Sequence, residues 1–154
     1  MRLAEALAAR ADLQRRIEQL RARIGDNARY QEGEEPAEDA AALLAEADAA
    51  LDQLRDLIRR INATNSSVVV DENGTMTDAL ATRDVLRMRH SLLTDAAAAA
   101  SGAGSGYMRQ MRSELRQFSA LPVAELRTRA DDVARELREL DSRIQQANWG
   151  NDLA

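Results

Sequence analysis

Apolar residues return at alternating steps of four and three along the last third of the chain: Leu126, Ala130, Val133, Leu137, Leu140, Ile144 and Ala147. That recurrence draws one strip along an α-helix, and the strip suits a helix lying against other helices. A strand would scatter the same residues over two faces, because its side chains alternate. A second row has the same rhythm: Leu44, Ala47, Leu51, Leu54, Ile58 and Ile61. A less regular helical row, Leu3, Leu7, Leu13, Ile17, Leu20 and Ile24, precedes both. These rows predict an all-α-dominated fold: a single domain over 1–154, built as an antiparallel, coiled-coil-like bundle of about four long helices. The predicted helices span about 2–25, 38–62, 77–100 and 122–148.

The breaks between them are readable. Gly25-Asp26-Asn27 supplies residues that tolerate a helix end. Residues 28–39 form an acidic linker containing Gly33 and Pro36. Helix 1 is rich in arginine, and helix 2 carries Asp48, Asp52 and Asp56 on one face. Opposite charge on successive helices favours an antiparallel hairpin, although each surface pair contributes only about 0–1 kcal/mol.

After Ile61 the polar run Asn62-Ala63-Thr64-Asn65-Ser66-Ser67 reads as a turn. Val68-Val69-Val70, Asp71-Glu72-Asn73-Gly74 and Thr75-Met76 read as a β-hairpin over about 67–76, its Asn-Gly suited to positive φ. Thr77 is the expected cap of helix 3, with Asp78 in the first turn. Ser101–Gly106 is a glycine-rich break. Residues 107–118 fit a short helix or a strand. Because a two-stranded hairpin alone is marginal, a third strand near 111–119 is the preferred reading. Pro122 suits the first turn of the last helix.

Composition narrows function. The net charge is −5 and all 21 basic residues are arginine. A net acidic chain lacks the counterion-displacing face of a duplex binder, so nucleic acid is not an expected partner. No stretch approaches the ~20 apolar residues of a membrane span, so no membrane partner is expected. The opening residues are charged and amphipathic rather than a signal peptide, which makes the cytoplasm the expected compartment. Without cysteine there is no disulfide, thiolate metal site or thiol nucleophile.

Three features could carry chemistry. His90, the only histidine, has Leu86, Arg87, Leu93 and Thr94 one turn away, so its own helix offers it no second metal ligand. An ordinary polar or interface histidine is the simpler reading. Glu32, Glu34, Glu35, Glu38 and Asp39 could donate oxygen to a cation, but they lack the spacing and glycine of an EF-hand loop. A solvated linker explains them. Asp48, Asp52 and Asp56 resemble paired carboxylates, yet acid–base work needs unequal environments with one group buried. The glycines of Ser101–Gly106 are not followed by the lysine of a P-loop. No catalytic residue and no cofactor is expected.

Five segments, in order, resemble the septicolysin-like family of small bacterial proteins: Met1-Arg-Leu-Ala-Glu-Ala-Leu, Gln31-Glu-Gly-Glu-Glu-Pro-Ala-Glu-Asp, Ile61-Asn-Ala-Thr-Asn, Leu80-Ala-Thr-Arg-Asp-Val-Leu and Leu140-Asp-Ser-Arg-Ile-Gln-Gln-Ala-Asn-Trp. The resemblance implies a strand around Arg112-Ser-Glu-Leu-Arg. The family's name implies a cytolysin, and it brings no catalytic residues to carry over.

Alanine supplies much of the 45% hydrophobic content, and aromatics are only 3%. Alanine removes little area from water, so a monomer would leave apolar strips uncovered. The expected partner is therefore a further copy of the chain, in a closed homo-oligomer acting as an interaction scaffold. Leu44, Leu51, Leu54, Ile58, Ile61, Leu126, Val133, Leu137, Leu140 and Ile144 are the expected core or interface. Trp149 is expected to dock on a helix end or another subunit. The alternative is a metal- or ligand-binding protein using the acidic linker or His90 at a subunit interface.

Overall fold

The structure, a computed structural model, describes residues 1–72, 74–102 and 115–154. Four long helices and one small antiparallel sheet follow in the order α1 (Leu3–Asn27), α2 (Ala40–Ser67), β1 (Val69–Asp71), β2 (Gly74–Thr75), α3 (Met76–Ala100) and α4 (Val123–Gly150). The all-α-dominated reading with a small β-hairpin holds.

The described residues form two compact units. The first comprises Met1–Val68 with Gln145–Ala154, and the second Val69–Ile144. In the first, α1 and α2 run antiparallel, as shown by ion pairs joining Arg16 to Glu46 (2.9 Å) and Arg23 to Glu38. Leu20, Leu43 and Ala47 make a buried cluster with Ile24 against it. Leu3 and Ala6 are fully buried at the other end of α1. Residues 151–154 bond to the α1 start: Leu3 N–H donates to the Asn151 carbonyl (3.0 Å), and Leu153 N–H to the Met1 carbonyl (2.9 Å). Thr64, 1% exposed, accepts from the Ala154 N–H at 2.9 Å.

In the second unit the rows Met76, Ala79, Leu86, Leu93, Ala97 on α3 and Leu126, Ala130, Val133, Leu140, Ile144 on α4 are buried, and Leu137 is half-buried. Ion pairs from Arg83 and Arg87 to Asp141 (both 3.9 Å) tie the early part of α3 to the late part of α4. These two helices are antiparallel as well, since Ala97 lies beside Ala130 at their other ends.

Several boundaries differ from expectation, each for a local reason. α1 passes through Gly25 and ends at Asn27, whose side-chain N–H donates to the Arg23 carbonyl (2.9 Å). The polar run after Ile61 is helical up to Ser67 rather than a turn. Hydroxyls of Thr64, Ser66 and Ser67 donate to the carbonyls of Arg60, Asn62 and Thr64 at 2.9–3.0 Å, supplying those oxygens with a second partner along the helix. The cap of α3 is Thr75, not Thr77. Asp78 stands three residues on, and its carboxylate accepts from the Thr75 N–H (2.8 Å) and hydroxyl (2.7 Å), as in a capping box. The sheet has two strands, with Val69 opposite Thr75 and Asp71 opposite Gly74. Of the expected third strand, 115–119 is irregular and exposed, and 111–114 lie outside the described residues.

The largest correction concerns which side of α2 is inside. The buried and half-buried row is Leu43, Ala47, Ala50, Leu54, Leu57, Ile61 and Thr64. Leu44, Leu51 and Ile58 are 53%, 47% and 36% exposed, so they are not core residues of this chain. Both rows step by three and four, and they share Ala47, Leu54 and Ile61. The inward row bears the buried Ala47 and Ala50, and Leu20 of α1 packs against it at Leu43 and Ala47. Trp149 is 61% exposed and so does not dock on a helix end of its own chain; the buried row ends on Asn148, which is 7% exposed.

Candidate interaction surface

The exposed residues on α2 form a line. Leu44, Leu51 and Ile58 recur every seven positions, which keeps them on one side of the helix over two heptads. Next to them on the solvent side run Asp48 and Arg55, also seven apart. Arg55 is paired within its own helix to Asp52 (3.0 Å) and Asp56 (3.4 Å), all of them exposed. Asp48 makes no ion pair among the described residues. Asp52 and Asp56 therefore meet arginines of α2 itself. The acid that joins α2 to α1 is Glu46, and Glu38 joins the linker to α1.

A comparable line lies on α3, described within its own unit. Val85, Met88 and Leu92 are 52%, 70% and 68% exposed, at steps of three and four. Their spacing alone is the signal that could have found this line. Single exposed apolar residues are ordinary, whereas exposed apolar residues gathered along one face make a candidate interaction surface.

The acidic linker is divided among structural tasks. Arg23 donates through Nε to Glu38 at 2.9 Å and again through Nη2, and that contact holds the Glu38 carboxyl below the ordinary glutamate range. The Glu38 N–H donates to Asn27 Oδ1 (2.9 Å). Asp39 caps α2, accepting from the N–H groups of Ala41 (2.9 Å) and Ala42 (3.2 Å). Gly33 adopts φ +88° in the turn that Glu34 N–H closes on the Gln31 carbonyl. Glu32, Glu34 and Glu35 are exposed. His90 is half-buried and lines a shallow hollow with Thr94, Ala97, Arg127 and Asp131. Among the described residues, no group of three or more His, Asp or Glu side chains is arranged to hold a metal ion.

The sequence did not point to one further feature. A hollow of about 270 Å³ lies where the hairpin meets α3 and α4, lined by Asp71, Asp78, Thr82, Glu136, Glu139 and Arg143 among others. Arg143 reaches Asp71 at 3.3 Å. Asp78 is already engaged by Thr75, whose hydrogen bonds lower its pKa. Asp71 and Arg143 thus serve the hairpin, and Asp78 the α3 cap. No helix among the described residues is long and apolar enough to cross a membrane.

Comparison with known proteins places the chain. No curated protein matches it. A solved structure described as that of a functionally unknown conserved protein from Corynebacterium diphtheriae is 40% identical, with a TM-score of 0.90, covering 100% of this chain and 99% of that one. The resemblance to the septicolysin-like family is overturned by this match and by the family match that follows, neither of which is to that family, and the cytolysin expectation loses its basis. Over residues 10–153 the sequence matches the family of unknown function DUF6847, and the chain belongs to that family.

Proposed function

We propose that this protein is an interaction scaffold that assembles with further copies of itself through the exposed apolar rows of its helices. One observation carries the reading: Leu44, Leu51 and Ile58 stand 53%, 47% and 36% exposed at seven-residue spacing along α2. Side chains of that size in water carry an unfavourable hydration free energy of roughly 25 cal/mol per Å² of apolar area, which a second helix would relieve. The heptad spacing supports a helix as the counterpart, because it maintains contact along two rods rather than at one point. Light scattering on the purified chain at micromolar concentration tests the proposal. A multiple of the 17.0 kDa chain mass is expected. A monomer mass throughout the concentration range would sink it.

A further inference from the structure

We infer that the α2 row is a two-fold, antiparallel self-association face, with Leu51 on the symmetry axis and Asp48 of each copy set against Arg55 of the other. This rests on the self-assembly reading above and specifies its face and orientation.

The argument begins with the sides of the row. One flank of Leu44, Leu51 and Ile58 is closed by the chain's own packing, since Leu43 and Ala50 are buried. The open flank carries Asp48 and Arg55, each exposed. When two copies of one helix pair antiparallel about a two-fold, equivalent flanks fall on the same side of the seam. When they pair parallel, equivalent flanks fall on opposite sides. Only the antiparallel pairing lets the two open flanks meet.

The register then follows from position numbers. With Leu51 opposite itself, Leu44 faces Ile58 of the second copy, and Ile58 faces its Leu44. At that register Asp48 and the second copy's Arg55 stand at nearly the same height, because Asp48 precedes Leu51 by three positions and Arg55 follows it by four. The contact occurs twice by symmetry. Charges flanking a helical seam set partner and orientation, and here an aspartate meets an arginine at both places. Arg55 is free to turn towards it, since its present pairs with Asp52 and Asp56 are exposed and weakly held. The face is isologous and closes on itself, as a symmetric dimer requires.

The chain contains no cysteine, so a single introduced thiol reports its own neighbours. Full-length Leu51→Cys, mildly oxidised, is expected to yield a disulfide-linked dimer, whereas Met88→Cys is not. Asp48→Arg and Arg55→Asp should each weaken association about tenfold in sedimentation, and the double reversal D48R/R55D should restore it. Helical circular dichroism confirms that each variant is folded. A monomeric parent protein overturns the self-assembly reading itself. An assembled parent in which L51C stays uncrosslinked and the double reversal restores nothing leaves that reading standing and overturns this face. Crosslinking through M88C alone would do the same and point to α3.

Discussion

Replacing Thr64 by valine isolates a single hydroxyl. The side chain is 1% exposed, and its oxygen has two partners: it donates to the Arg60 carbonyl at 2.9 Å and accepts from the Ala154 N–H at 2.9 Å. Valine keeps the shape, so no cavity term enters. The bond to Arg60 runs back along the helix to a carbonyl that already has a helical partner, and its loss costs little. The Ala154 N–H is different. It loses its acceptor at a partly buried place, and an unsatisfied donor there costs about 1–3 kcal/mol. A small gain from the added methyl group offsets part of this, leaving a net loss of about 1–2 kcal/mol. For a chain of this length that lowers the melting temperature by about 2–8 °C. The measurement is urea and thermal unfolding by circular dichroism at one protein concentration, since self-association would otherwise shift stability by mass action. Amide exchange supplies the specific readout: Ala154 should lose protection in Thr64→Val and keep it in Thr64→Ser. A stability change below about 0.3 kcal/mol with the Ala154 amide still protected would refute the reasoning, because the donor would then have found water without penalty.

Adjacent leucines test the register of α2. Under conditions that keep the chain monomeric, Leu43→Ala should cost about 2–5 kcal/mol and Leu44→Ala less than about 0.5 kcal/mol, a contrast that unfolding curves read directly. At Gly74, φ is +144° and an added Cβ would stand 2.5 Å from Asp78 Oδ2. Gly74→Ala should therefore strain the turn by about 1–3 kcal/mol and displace the capping carboxylate, so that its effect and that of Asp78→Ala sum to less than additive. Glu38 and Asp78 both have lowered folded pKa values, from the Arg23 and the Thr75 hydrogen bonds respectively. Their contribution is fully present above the ordinary carboxylate range, near pH ~4, and is lost as the pH falls through the lowered folded values. Glu38→Gln and Asp78→Asn should each flatten the decline of stability in acid, and an unchanged acid limb would count against these contacts.

The long helices were legible because apolar spacing is a local property of the chain. So was the linker, where glycine, proline and five acids exclude a core helix. The choice between the Leu43 row and the Leu44 row was not. Both have heptad steps, and the leucines beside each other are equally apolar. What separates them is the partner: Leu20 and Ile24 of α1 pack on the side that carries Leu43 and Ala47. The extension of α2 through Thr64–Ser67 was hidden for another reason. Serine and threonine favour turns on average, but here their hydroxyls bond to carbonyls one turn back. Thr75 and Thr77 are similar as caps by composition. Asp78 decides for Thr75, because it stands at the third position that a capping box requires.

That same preference for alanine contacts bears on the candidate surface. A helix that buries Ala47 and Ala50 approaches its neighbour closely, and a close approach gives a narrow contact. Side chains one position round the helix then remain outside even when they are leucine or isoleucine. Leu44, Leu51 and Ile58 are outside for this reason, and not because their spacing is weak. A chain that needed only its own fold could place polar residues at such positions at little cost, since surface substitutions are usually worth less than about 0.5 kcal/mol. Keeping three large aliphatic residues there, seven apart and bordered by an aspartate and an arginine, lacks a full role in the monomer's packing. It acquires one if a second α2 lies across them in the opposite direction.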